Sequence, residues 1–104
     1  MKTEIKNLNE LPLNRYGIVQ ELKCDGNIGR RLLDMGLVKE TKIKPVLVSP
    51  SKEPRAFEVR GSIIAIRKED AERIYIKLTW YVKSGIMYIV TSKGILVQEE
   101  KNEI

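Results

Sequence analysis

Residues 55–76, RAFEVRGSIIAIRKEDAERIYI, decide the fold. RAFEVR and SIIAIRK are rich in β-branched and apolar residues, and Gly61 stands between them. That pattern predicts two strands joined by a tight hairpin. KEDAER, residues 68–73, allows one helical turn at most. From Ile74 a new pattern begins. Ile74, Ile76, Leu78, Trp80 and Val82 alternate with Lys77, Thr79, Tyr81 and Lys83, which predicts one long amphipathic strand.

Toward the C-terminus, Ser84-Gly85 punctuates that strand. IMYIVT (86–91), SKG (92–94) and ILVQ (95–98) predict a meander, and the charged end EEKNEI predicts a frayed tail. Toward the N-terminus, PSKEP (50–54) is a proline-bracketed loop and TKIKPVLVS (41–49) a strand. Pro45 lacks the N–H a ladder needs, so it belongs at an edge or a bulge.

GNIGRRLLDMGL, residues 26–37, predicts a helix of about two turns. Asn27 is the expected N-cap, and Ile28, Leu32 and Met35 fall on one face. Arg30 and Asp34, four apart, are an expected surface pair. Gly36 supplies the left-handed C-terminal cap. Residues 16–23, YGIVQELK, predict a strand with Ile18 and Leu22 on one face. Residues 1–15, broken by Asn9, Pro12 and Asn14, predict an irregular lead-in pinned by Leu8, Leu11 and Leu13. The expected fold is mainly β: a small, closed five-stranded barrel with a short helical insertion and an extra C-terminal β-hairpin.

Composition narrows the function. At 104 residues one domain is the default, burying roughly 60–70% of its unfolded surface. Hydrophobic residues at 42% and charged residues at 32% are those of an ordinary globular chain. A net charge of +5 favours acidic partners. One cysteine cannot form a disulfide within the chain, which fits a reducing compartment. The polar N-terminus lacks a signal-peptide core, and no run reaches the roughly 18 apolar residues a membrane span needs. The expectation is a cytoplasmic protein without membrane insertion.

Histidine is absent, which removes the commonest general base. Cys24 beside Asp25 has no activating base nearby and reads as a structural thiol. Cys24, Asp25, Asp34 and Met35 match no metal-ligand spacing. GNIGRR fits neither the P-loop nor the dinucleotide fingerprint, so it reads as a helix-opening turn. Arg30, Arg31, Lys39, Lys42 and Lys44 could line a basic face. The aromatics Tyr16, Phe57, Tyr75, Trp80, Tyr81 and Tyr88 are not interleaved with basic residues along the sequence, unlike a base-stacking surface. The chain reads as a non-enzyme with no cofactor and no stable nucleic-acid partner. Trp80-Tyr81 is left with two readings: packing by the downstream hairpin, or an interface.

Three stretches together resemble a known family. Leu11-Pro12 is followed by Gly17 and Val19. Arg30–Leu37 reads RRLLDMGL. Ser49–Ile76 carries the proline-bracketed loop, the strand, Gly61, a strand ending at Arg67, the acidic-alanine turn and a closing Ile-x-Ile. In this order they are similar to FeoA proteins, small accessory proteins of bacterial ferrous-iron uptake. The resemblance implies an SH3-like barrel over residues 1–76, with 77–104 as a C-terminal β extension. It implies a non-enzymatic protein, linked with iron as a transition metal, that acts with the FeoB-like membrane GTPase iron permease. The expected partner-binding residues are Arg30, Arg31 and Met35 on the helix and Trp80 and Tyr81 on the long strand. Self-association through the extension is a further expectation. The same module in iron-dependent repressors implies an alternative, a regulatory or nucleic-acid-binding role. Lys39-Glu40 stands where the family pattern usually has Pro-Gly, so the turn out of the helix is expected to differ.

Overall fold

A computed structural model describes residues 1–48, 50, 53–91 and 94–99. The chain runs β1 (Lys2–Asn7), a 3-10 turn (Leu8–Glu10), β2 (Gly17–Leu22), α1 (Gly26–Asp34), β3 (Lys42–Val48), β4 (Arg55–Val59) and β5 (Ser62–Ile66). It continues with α2 (Lys68–Ala71), β6 (Ile74–Lys83), β7 (Ile86–Thr91) and β8 (Gly94–Glu99). The strands form one antiparallel sheet in the order β5-β4-β3-β2-β6-β7-β8, with β1 also paired to β6. The mainly-β fold, the helical insertion and the C-terminal hairpin all stand as the sequence predicts. Residues 49, 51–52, 92–93 and 100–104, which include parts of both predicted loops and most of the tail, lie outside the described residues.

β6 organises the sheet. One edge pairs first with β2, over Ile74–Lys77, and then with β7, over Thr79–Lys83. Its other edge pairs with β1 from Tyr75 to Trp80. The predicted alternation holds in the first half, where Ile74, Ile76 and Leu78 are buried. Two hairpins close on Arg60-Gly61 and Ser84-Gly85, and both residues of each loop have positive φ. That geometry suits the twist of the flanking strands, and glycine at the second position accepts it without a Cβ penalty.

Three expectations change. The lead-in is not irregular, because Lys2–Asn7 is a strand. It carries no buried face of its own and forms because β6 offers a free edge. The 3-10 turn after it is held by a reciprocal cap, with the Asn7 side chain on the Glu10 N–H and the Glu10 side chain on the Asn7 N–H. Leu8 and Leu11 are buried as predicted, but Leu13 is exposed. β2 does not keep Ile18 and Leu22 on one face. Val19 and Leu22, opposite Ile76 and Ile74, turn to the barrel core. Ile18, opposite Lys77, is buried on the other side, because a register shift before Glu21 inserts a residue between it and Leu22. The barrel is not closed by hydrogen bonds: among the described residues the ladder ends at β5 and at β1. The 3-10 turn and α2 pack together, and Arg55 of β4 donates to the carbonyls of Asn9 and Leu11 at 2.9 and 2.8 Å. Pro45 sits at a β3–β4 register shift, as expected.

Two buried clusters result. The larger lies inside the barrel and includes Leu8, Val19, Leu32, Leu37, Phe57 and Ile76. The smaller comprises Leu78, Met87 and Ile89, with Tyr16, Trp80 and Leu96 packed against it.

Candidate functional site

α1 is anchored by few contacts. Leu32 is buried and Ile28 packs against the barrel core. Gly29 is also buried, and it lies so close to the Cys24 carbonyl that a Cβ there would collide with it. The helix opens after Asp25, whose side chain makes no capping bond, so Asn27 is not the N-cap. Its last turn ends in a Schellman motif: Gly36 N–H donates to Leu33 O and Leu37 N–H to Leu32 O, each at 3.0 Å. Gly36 has φ +95°, as its predicted role demands. Its carbonyl accepts from Thr41 Oγ1 and Arg60 Nε, each at 3.2 Å, so a cation from the β4–β5 hairpin sits at the negative end of the helix.

This ending corrects the predicted helix face. Met35 is the C-cap, not part of the buried stripe, and is exposed; Leu37 takes the core position instead. Met35, at 42% exposure, stands with Leu33 (51%) and Val38 (39%) as apolar side chains left in solvent at one end of α1. Arg30 and Arg31 are exposed beside them, and Arg60 sits at the same end. Arg30 and Asp34 form no ion pair among the described residues. The end of α1 is therefore a mixed surface of exposed apolar and cationic groups, a combination suited to an acidic, partly apolar partner. Successive helical residues differ by about 100°, so Arg30 and Arg31 diverge. Arg31 turns toward α2 and lines a cavity of about 110 Å³ with Arg67 and Asp70.

The other two expected residues lie elsewhere. Trp80 packs on the second cluster with Lys2 Nζ 5.5 Å from its ring, and its indole N–H is buried without a hydrogen-bond partner among the described residues. Tyr81, adjacent on a strand, faces the opposite side and stacks on Tyr88 at 4.9 Å. Packing by the hairpin thus accounts for much of the burial of both rings. The fold does not place Arg30, Arg31 and Met35 in one cluster with Trp80 and Tyr81. Leu33 carried a legible signal, since two adjacent leucines cannot share a helix face. Val38, Arg60, Arg67 and Asp70 carried none.

Lysines approach the aromatics more closely in space than in sequence. Lys44 lies over Tyr16 and Lys23 over Tyr75, at 4.8 and 5.1 Å. The Cys24 thiol donates to Asp70 O at 3.5 Å, and burial, reinforced by Asp70, raises its pKa. A protonated, partly buried thiol is a poor nucleophile and a poor ligand. No group of three or more His, Cys, Asp or Glu residues positioned for a metal occurs among the described residues. No helix among them is long and apolar enough to cross a membrane.

A curled antiparallel sheet around the larger core, with a helical insertion, defines a small SH3-like module. The sequence profile of the FeoA domain matches residues 6–78. The chain belongs to the FeoA family, whose members are tied to ferrous iron transport. The FeoA protein of Chlorobium tepidum is 26% identical, with TM-score 0.65, over 76% of this chain and 71% of its own. A crystal structure described as an iron uptake regulatory protein (FeoA) is 29% identical, with TM-score 0.62, over 72% of this chain and 99% of its own. Stenotrophomonas maltophilia FeoA, in complex with zinc, is 30% identical, with TM-score 0.61, over 67% of this chain and 87% of its own. That protein is described as a prokaryotic SH3 domain protein and proposed as a ferrous iron transport activating factor. No curated protein sequence matches the chain.

Proposed function

We propose that this protein is a cytoplasmic, non-enzymatic accessory factor of ferrous iron uptake that binds the cytosolic GTPase domain of a FeoB-like membrane iron permease. The observation that carries this reading is the end of α1. Leu33 and Met35 stand exposed beside Arg30 and Arg31, on a helix that the barrel holds by its opposite face. Exposed apolar side chains among cations suit a protein surface with carboxylates around an apolar centre.

A titration of the purified chain against the permease's GTPase domain, with and without guanine nucleotide, tests it. Saturable binding is expected. The double variant Arg30→Glu, Arg31→Glu should abolish binding while thermal stability changes little, because both side chains are exposed. Unchanged affinity in that variant would refute the assigned surface. Binding to duplex DNA that weakens steeply with salt would instead favour the regulatory alternative, because phosphate contacts release counterions.

The segment 77–104 is, on this reading, an addition to the family domain, and its described residues supply Leu78, Met87 and Ile89 to the second buried cluster. Self-association through it would appear as a concentration-dependent mass in sedimentation.

A further inference from the structure

The cleft between α1 and the start of α2 points to a more specific contact. We propose that it receives a single carboxylate side chain, Asp or Glu, projected by the protein that binds this module. The proposal deepens the interaction reading above and rests on it for the identity of the partner, though not for the existence of the site.

Arg31 enters the cleft from α1, and Arg67 and Asp70 enter it from the segment that opens α2. Ile28, Ala65 and Ile66 supply apolar lining. The volume is about 110 Å³. That is room for more than one water molecule of about 30 Å³, so a carboxylate with a methylene or two fits. The apolar lining suits those methylenes.

Charge selects the ligand. Two guanidinium groups and one carboxylate leave the cleft with one net positive charge. A side-chain carboxylate neutralises that, whereas a phosphate dianion overshoots it and is repelled more strongly by Asp70. Neither Arg31 nor Asp70 forms an ion pair among the described residues. Arg67 contacts Glu69 at 3.5 Å, but the two side chains are 64% and 70% exposed. Such a pair is weak and competes poorly with a bound carboxylate. Guanidinium groups are planar forks that match a carboxylate's two oxygens, which an ammonium cannot do.

The test has two arms. In the first, the full chain is titrated with sodium acetate, and separately with inorganic phosphate, at constant ionic strength while backbone amide shifts are followed. Saturable shifts concentrated at Ile28, Arg31, Ala65 and Arg67, larger with acetate than with phosphate, are expected. Shifts spread over the surface lysines, or stronger binding of phosphate, would overturn the proposal. In the second, affinity for the permease's GTPase domain is measured for variants of exposed Arg67 and half-buried Asp70. Arg67→Gln should weaken binding by about tenfold, the scale of one charged hydrogen bond. Asp70→Asn should strengthen it, a direction that loss of fold does not produce. If the domain binds and both variants match the parent protein, the cleft is not the contact and the broader reading survives. If the domain does not bind at all, the functional reading falls, while the acetate arm still decides the site.

Discussion

The barrel and the C-terminal end of the sheet share strand β6, yet they enclose their apolar residues differently. Around Phe57 and Ile76, elements close in from several sides: five strands, α1, the 3-10 turn and Ala71 of α2. Around Ile89 the enclosure comes from β6 and β7, with Tyr16, Trp80 and Leu96 only partly buried. Both Phe57 and Ile89 have no exposed surface, so burial of a single residue does not separate the two regions. What separates them is how many independent elements must come apart before water arrives. Local opening of the β7–β8 end of the sheet should therefore require less free energy than unfolding of the barrel.

The sharpest way to break this comparison is a matched pair of truncations. Phe57→Ala should destabilise by about 3–5 kcal/mol, read as a shift of the whole cooperative urea transition. Ile89→Ala should lower stability by about 2 kcal/mol, with faster amide exchange concentrated in β7, β8 and the second half of β6. Equal exchange acceleration in β3 and β4 would show that the two clusters unfold as one. Arg55→Met should lower stability by about 1.5 kcal/mol, because the Asn9 and Leu11 carbonyls lose a charged donor. Its effect should fall on the barrel and leave exchange in β7 unchanged.

A gain is expected at Glu40. That residue has φ +73° and its N–H bonds Val19 O at 2.8 Å. The turn out of the helix thus places a side chain in the left-handed region, where glycine rests more easily. Glu40→Gly should stabilise by about 1 kcal/mol, visible as a higher melting temperature.

The smallest effect concerns Cys24. Its thiol pKa is raised above 9.0, first by burial, then by Asp70 and Asp25, against the opposing Arg73. The unfolded chain therefore loses this proton before the folded one does. Stability should be unaffected below the unfolded pKa and should fall as pH rises above it toward the folded value. Comparing urea midpoints at about pH 7 and about pH 10, Cys24→Ala should show the shallower alkaline loss.

Legibility in the sequence followed burial. The barrel half of β6 was readable because one face meets the core, and the two hairpin loops were readable from their glycines. β1 was not, because its residues are exposed or half-buried and hydrogen bonding to β6 makes it a strand. Met35 was misplaced because a 3.6-residue period was carried one step past the end of the helix. The exposed cations of α1 could be named in advance, since two adjacent arginines cannot both face a core. The cleft that Arg31 shares with Arg67 and Asp70 could not, because 36 positions separate Arg31 from Arg67 and only the fold brings them together.

β6 passes from one core to the other without a break in its backbone. A hairpin grafted onto such an overhang inherits register from a strand already set, and it needs no new crossing connection. The sheet beyond residue 78 is thus the kind of growth a compact domain tolerates best. The same overhang offers a point for transplanting further strands, or an engineered binding loop at Ser84-Gly85, with the barrel's own connections left as they are.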